Sequence, residues 1–279
     1  MHERQPEIEV AAVPAVRGRA IVITSGKGGV GKTTTTANLG TALAMRGARV
    51  ALVDADVGLR NLDIVLGLES RVKHHLLDVI EGGVTLDEAL VPSKYNESLM
   101  LLAAAQNREK DEVPTEAMTA LIERLRERFD YVLVDCPAGI EHGFRNAVAG
   151  AQEAIVVCTP EVSAVRDVDR VIGLLGNRFK PQLIVNRLRP QLVKRGKMLS
   201  VEDVNAILRL PLLGVIADEP EIIITTNKGE PLALRRDGAT GAAYHVMAAK
   251  IAGEDVAAPT VETRDSFFGR LGAFFGGKA

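Results

Sequence analysis

Short apolar runs recur along the chain at 20–24, 50–54, 99–103, 131–135, 154–158, 183–186 and 212–216. Most are apolar at successive positions rather than at alternate ones. A strand with one wet face alternates, whereas a strand covered on both faces does not, so these runs read as central strands of a parallel sheet. Between them the apolar positions follow helical spacing. The segments 32–45, 115–129, 163–175, 200–208 and 238–252 read as helices, with Leu121, Ile122, Leu125 and Phe129 recurring at that spacing in the second. Ser200 and Asp203 stand in an S-x-x-D arrangement that caps a helix start. Alternating strands and helices with right-handed crossovers predict an α/β fold, a doubly wound and mostly parallel sheet spanning 20–253.

The pattern changes at both ends. Residues 1–19 are polar and broken by Pro6 and Pro14. They lack the apolar core of a secretory signal and read as a flexible N-terminal extension. Residues 254–264, with Pro259, read as a linker. Residues 265–279 hold four of the seven phenylalanines. Wound as a helix, this tail places Phe267, Phe268, Leu271, Phe274 and Phe275 on one face about 120° wide. Such a face can enter membrane lipid or dock on its own domain, and the preceding linker favours lipid. No run approaches the roughly 20 apolar residues of a membrane span. The expected location is cytoplasmic, unless the tail takes the chain to a membrane.

Composition narrows the functional classes. The net charge is −2, without the strongly basic footprint of a nucleic-acid binder, so no specific nucleic acid is expected as partner. Cys136 and Cys158 each end an apolar run. Their spacing builds neither a disulfide framework nor a metal-cluster site, and they read as small buried hydrophobes.

The strongest chemical signal is Gly26-Lys27-Gly28-Gly29-Val30-Gly31-Lys32-Thr33-Thr34. It fits G-x-x-x-x-G-K-[ST] from Gly26 to Thr33, between a predicted strand and a predicted helix. Glycines let backbone N–H groups turn inward on phosphates, and the helix N-terminus adds partial positive charge. Lys32 is placed to bind the β- and γ-phosphates of ATP, and the Thr33 hydroxyl to bind Mg²⁺. Lys27 is an additional cation that an ordinary phosphate loop does not require. Supplied across a subunit boundary, it would neutralise phosphate only when two subunits meet, making assembly ATP-dependent; alone, it is a solvated loop lysine.

Two further segments carry acids at strand ends, where parallel sheets bind ligands. The first is Asp54-Ala55-Asp56, in which Asp54 is either a partner behind the site or a group that merely keeps the strand end soluble. The second, Tyr131-Val-Leu-Val-Asp135-Cys-Pro-Ala-Gly139, reads as a strand and a Walker B-like loop. There Asp135 would hold a Mg²⁺-bound water and the Gly139 N–H would sense the γ-phosphate.

The motif K-G-G-x-G-K-[ST] resembles the deviant Walker A motif of the ParA and MinD family of P-loop NTPases. The likeness to the MinD branch extends to Asp56-Val-Gly-Leu-Arg-Asn-Leu-Asp63, Asp135-Cys-Pro-Ala-Gly-Ile-Glu141, the segment 160–170 and the segment 195–203. It covers about 20–253, and the tail matches in kind. The resemblance implies that Lys27 reaches the partner's phosphates in a nucleotide-sandwiched homodimer. It implies that Asp56 lies near the metal and orients the attacking water, and that Asn186 reads adenine. It further implies an ATP hydrolase whose dimer binds membrane and recruits a MinC-like division inhibitor to place the septum. A MinE-like factor would stimulate release. Arg166, Asp167 and Asp169 match the surface facing these partners; read without the resemblance, the same charges are equally a solvated helix face. Two departures stand out. Ala217 replaces the family's usual proline, and the tail is poorer in basic residues. The same fold also serves flagellar-placement ATPases, ParA-type partition ATPases and, with paired cysteines, iron–sulfur carriers. A scaffold that binds but does not split ATP is a further alternative.

Overall fold

A computed structural model describes residues 17–256 except 107, 109–112 and 141. The predicted extension 1–16, most of the linker and the whole tail, including Phe267, Phe268, Leu271, Phe274 and Phe275, lie outside the described residues.

Seven strands form where the apolar runs predict them: β1 (Arg19–Thr24), β2 (Val50–Asp54), β4 (Leu99–Leu102), β5 (Tyr131–Asp135), β6 (Glu153–Cys158), β7 (Gln182–Leu188) and β8 (Leu212–Ala217). An eighth, β3 (Val91–Pro92), is a two-residue antiparallel edge that the sequence reading missed. The sheet order is β3-β4-β2-β5-β1-β6-β7-β8. All other pairings are parallel. The unbroken apolar runs follow from two cores. Ala20, Val22, Ala51, Val53, Val132 and Val134 point into one. Ile21, Ile23, Val50, Leu52 and Leu133, the alternate positions, point into the other.

The five predicted helices are α1 (Lys32–Ala44), α5 (Thr115–Arg126), α7 (Val162–Leu175), α9 (Val201–Leu208) and α11 (Ala239–Ile251). Six others escaped the sequence reading. They are α2 (Leu62–Leu66), α3 (Leu76–Ile80), α4 (Leu86–Ala89), α6 (His142–Ala149), α8 (Pro190–Lys194) and α10 (Pro220–Asn227). Most are too short to show a period. The run of isoleucine and threonine in α10 favours a strand by propensity alone, yet Pro220 opens it as a helix with Ile223 and Ile224 exposed. None of the helices among the described residues is long and apolar enough to cross a membrane.

The domain reaches further at each end than expected. Residues 17–19, predicted as extension, are built into it. The Gly18 N–H donates to the Arg126 carbonyl at 2.8 Å. A side chain on Gly18 would overlap the Phe129 carbonyl. Arg19 opens β1 and grips Glu153 through two bonds of 2.6 Å. It also donates to the Ile251 carbonyl at the end of α11. Just beyond, Glu254 pairs with Arg46 at the end of α1. The first strand and the last helix are thus tied together at the end of β1 away from the glycine-rich loop.

The cap predicted for α9 is present. The Asp203 N–H donates to Ser200 Oγ at 3.1 Å, and the Ser200 N–H returns a bond to Asp203 at 3.0 Å. Both residues are buried. Replacing Ser200 with alanine is expected to cost about 1–2 kcal/mol. Thermal melts should show Tm falling by about 2–8 °C.

Candidate nucleotide site

The glycine-rich segment links the end of β1 to α1. Gly31 precedes the helix at φ 97°, and no side chain caps the first turn. Gly29 is also left-handed, at φ 75°. At Gly31 glycine is required twice over, because a Cβ there would lie 2.4 Å from Asn186 Nδ2. Gly26 is needed for a different reason. A Cβ on it would come within 2.3 Å of the Asp167 backbone, so α7 packs directly on the loop. The result is a glycine-shaped loop with two left-handed positions leading into an uncapped helix N-terminus, a setting suited to holding phosphate.

The two lysines part company. Lys32 is buried, and its Nζ donates to Ser25 Oγ at 3.0 Å. Ser25 in turn donates to the Lys27 carbonyl at 2.8 Å. Lys27 itself is exposed. Ser25 was not singled out from sequence; a hydroxyl just before the glycine-rich loop was the available signal.

Asp135 is buried at the end of β5 and accepts from Thr36 Oγ1 at 3.2 Å. The Thr33 hydroxyl is near enough to favour its ionised form. Thr33 and Asp135, both predicted toward Mg²⁺, are therefore brought to the same place. Asp54 stands beside Asp135 in the β2–β5 register and is equally buried. It accepts from the backbone N–H groups of Asp56 at 3.0 Å and of Asn61 and Leu62 at 3.1 Å. The solubilising reading of Asp54 is therefore overturned. Its carboxyl pins the loop that carries Asp56, and Asp56 is half-buried at the start of that loop.

Burial raises both carboxyls. Asp54 moves up to about 6, opposed by its three backbone hydrogen bonds. Asp135 moves up to about 7, further raised by the charge of Asp54 and opposed by Thr33, Lys32 and Thr36. Among the described residues, no cluster of three His, Cys, Asp or Glu side chains is arranged to hold a metal unaided. A hydroxyl and a carboxyl brought together beside the glycine-rich loop fit Mg²⁺, which is commonly bound through one or two carboxylates together with substrate phosphates and water.

Asn186 donates Nδ2 to the Val30 carbonyl at 2.7 Å. Its Oδ1 is buried without a hydrogen-bond partner. The amide is thereby fixed to offer an acceptor, which suits the exocyclic amine of adenine. Ala217, at the departure from the usual proline, ends β8 and pairs with Leu188. Gly139 is left-handed at φ 91°. Ala138 beside it lies 3.5 Å from the position of a Cβ on Gly28, so this turn faces the phosphate loop.

On α7, Val165 and Val168 are buried. Arg166 and Asp169 are exposed, while Asp167 is half-buried against Gly26. Asp167 is thus part of the support of the phosphate loop as well as of the helix surface. Cys136 and Cys158 are buried, unpaired and pushed up to about 12 by burial.

A deviant phosphate loop, two acid-tipped strands and a doubly wound sheet define a P-loop nucleotide-binding protein. The family described as CobQ/CobB/MinD/ParA nucleotide binding domain matches residues 21–232. The septum site-determining protein MinD of Synechocystis sp. is 56% identical over 241 residues, covering 85% of this chain and 91% of its own. A MinC:MinD cell division protein complex from Aquifex aeolicus has a chain 46% identical to this one. That likeness covers 88% of this chain and 100% of that chain, with a TM-score of 0.81. The septum site-determining protein MinD complexed with Mg-ADP from Pyrococcus horikoshii is 31% identical, covering 84% of this chain and 96% of that chain, with a TM-score of 0.76. The chain belongs to the MinD branch of the MinD/ParA family.

The raised acids give a pH test. The folded state holds protons on Asp54 and Asp135 more tightly than the unfolded chain does. Their contribution to stability is therefore full below about pH 4 and is lost as pH rises through about 6 to 7. Asp135→Asn keeps an acceptor for Thr36 and removes the titration. Nucleotide-free melts should show its Tm, relative to the unsubstituted protein, rising steadily between about pH 4.5 and 7.5.

Proposed function

We propose that this chain is an ATP hydrolase whose ATP-bound homodimer sits on the membrane and recruits a MinC-like division inhibitor, so placing the septum. Hydrolysis, stimulated by a MinE-like or other topological factor, releases it. The observation that carries the reading is the division of labour between two lysines on one loop. Lys32 is buried and reaches back along its own chain, while Lys27 is exposed. The names of the relatives, septum site-determining protein MinD and a MinC:MinD complex, support the same assignment.

In this reading ATP is the substrate. Backbone N–H groups from Gly26 to Thr34 hold its phosphates, Lys32 neutralises them from within the subunit, and Asn186 selects adenine. Bound Mg²⁺ supplies charge neutralisation at the phosphate oxygens, with Thr33 and Asp135 placed to hold it and its water. Asp56, aimed by the loop that Asp54 pins, orients the attacking water. The Gly139 N–H registers the γ-phosphate, and Lys27 completes the partner's site. Arg166, Asp167 and Asp169 face the MinC-like and MinE-like partners. The apolar residues Phe267, Phe268, Leu271, Phe274 and Phe275 enter lipid, so the protein works at the inner face of the cell membrane. The extension, linker and tail keep the limits read from sequence, apart from the end residues that the fold takes in.

Lysine substitution tests this division. Lys32→Ala should abolish ATP binding, whereas Lys27→Ala should keep it and lose ATP-dependent dimerisation and liposome co-sedimentation. Equal loss of ATP affinity in both variants would remove the assignment of Lys27 to the partner's site.

Asp56→Ala should still bind Mg-ATP and dimerise. Its single-turnover hydrolysis should slow by at least about tenfold, roughly 1.4 kcal/mol in barrier. An unchanged rate would take Asp56 out of the mechanism.

A further inference from the structure

The loops after β2 and β5 carry Asp56 and Gly139, and both must respond to the same phosphate. Beneath them the first loop and α6 share a cavity of about 10 Å³, room for about one water molecule. Ala55 and Val57 line it from the Asp56 loop, Gly143 and Asn146 from α6, and Val113 and Met118 from the start of α5. Apart from Asn146 the wall is apolar side chain and glycine. Apolar packing is non-directional, so by itself it supplies no hydrogen-bonded register between α6 and the floor of the loop.

Asn146 changes that. It is 3% exposed. Its Nδ2 donates to the Val113 carbonyl at 2.6 Å. Its Oδ1 accepts from Thr115 Oγ1 at 2.5 Å. A buried amide is costly unless its polar atoms are hydrogen-bonded. Bonds from both ends fix the ring of atoms in direction as well as distance, so α6 is registered against the N-terminus of α5. The Asp56 loop meets this cluster across the shared cavity and is anchored separately to the segment after β4. Its Val57 is buried there, and the Gly58 N–H donates to the Ala105 carbonyl at 2.8 Å. α6 begins three residues after Gly139, so a displacement of that turn is passed into it directly.

We propose that Asn146 is a positioning residue that locks α6 to the floor of the Asp56 loop, so that the two phosphate-responsive loops change conformation as one unit. This rests on the hydrolysis reading for its effect on rate, but the coupling itself does not require turnover. Asn146 touches neither substrate nor metal in this account. It acts through the loop that aims Asp56.

The test uses the full chain, with Asn146→Leu removing the bonds to Val113 and Thr115 and Thr115→Val removing the second of these at nearly constant shape. The probe is a non-hydrolysable ATP analogue with Mg²⁺, followed by amide hydrogen exchange. In the unsubstituted protein, residues 57–61 and 143–149 should gain protection together. In both variants the response of 57–61 should fall to less than about half while that of 143–149 persists, a local opening separated from its partner. Analogue affinity should stay within about threefold. Single-turnover hydrolysis should slow by at least about tenfold in Asn146→Leu and less in Thr115→Val. Folded variants that keep the joint exchange response would overturn the proposal. So would a loss of analogue affinity in proportion to the loss of rate, which would mark a structural role only. An unsubstituted protein that does not split ATP would defeat the hydrolysis reading, and the exchange arm would still decide the coupling.

Discussion

Asp54 and Asp135 lie side by side at the ends of adjacent strands, both almost fully withdrawn from water. Neighbouring carboxyls in such a place resist ionisation, and the surroundings offset this only in part. Three backbone N–H groups turn toward Asp54, and Thr33 and Thr36 turn toward Asp135. These compensations give the site its shape. The path of the chain from Asp56 to α2 is set by the bonds to Asp54. The start of α1 is tied to β5 by the bond from Thr36 to Asp135. The pair holds anionic character in reserve beside an uncapped helix N-terminus, so cation and phosphate together relieve a tension already present in the protein.

Much of this architecture was legible in the residues. The buried parallel strands announced themselves as apolar runs, most of them unbroken, because two cores claim alternate side chains. The phosphate loop was legible because its spacing is short and contiguous. What could not be read lies in contacts between distant segments. That Gly31 must be glycine because Asn186 approaches it depends on β7, more than 150 residues away in the chain. The burial of Asp54 depends on β5 lying beside β2. The short helices between 62 and 89 carry too few residues for a period, although Thr85 and Glu88 spell a capping box that could have marked one of them.

Two close approaches show how little slack the site has. Gly26 admits the backbone of α7, and Gly31 admits the amide of Asn186. Each brings a separate layer of the fold into contact with the phosphate loop, one from the helix proposed to meet partners and one from the side proposed to read the base. Interiors packed at this density transmit displacement rather than absorb it. The half-buried setting of Asp167 follows from the first of these approaches and makes α7 a wall of the nucleotide site as well as an outer surface.

The tie between Arg19 and the end of α11 sets a distance. Arg19 begins β1, and the phosphate loop leaves the other end of that strand six residues later. At about 3.3 Å per residue, the point where the C-terminal segment departs is about 20 Å from the phosphates. It is held there by Arg19 on one side and by Arg46, just past α1, on the other. A nucleotide cannot touch that root, and two rigid elements separate them. Under the proposed ATP-dependent pairing, control across such a gap would be arithmetic, acting on the number of chain ends brought side by side rather than through a contact between nucleotide and root.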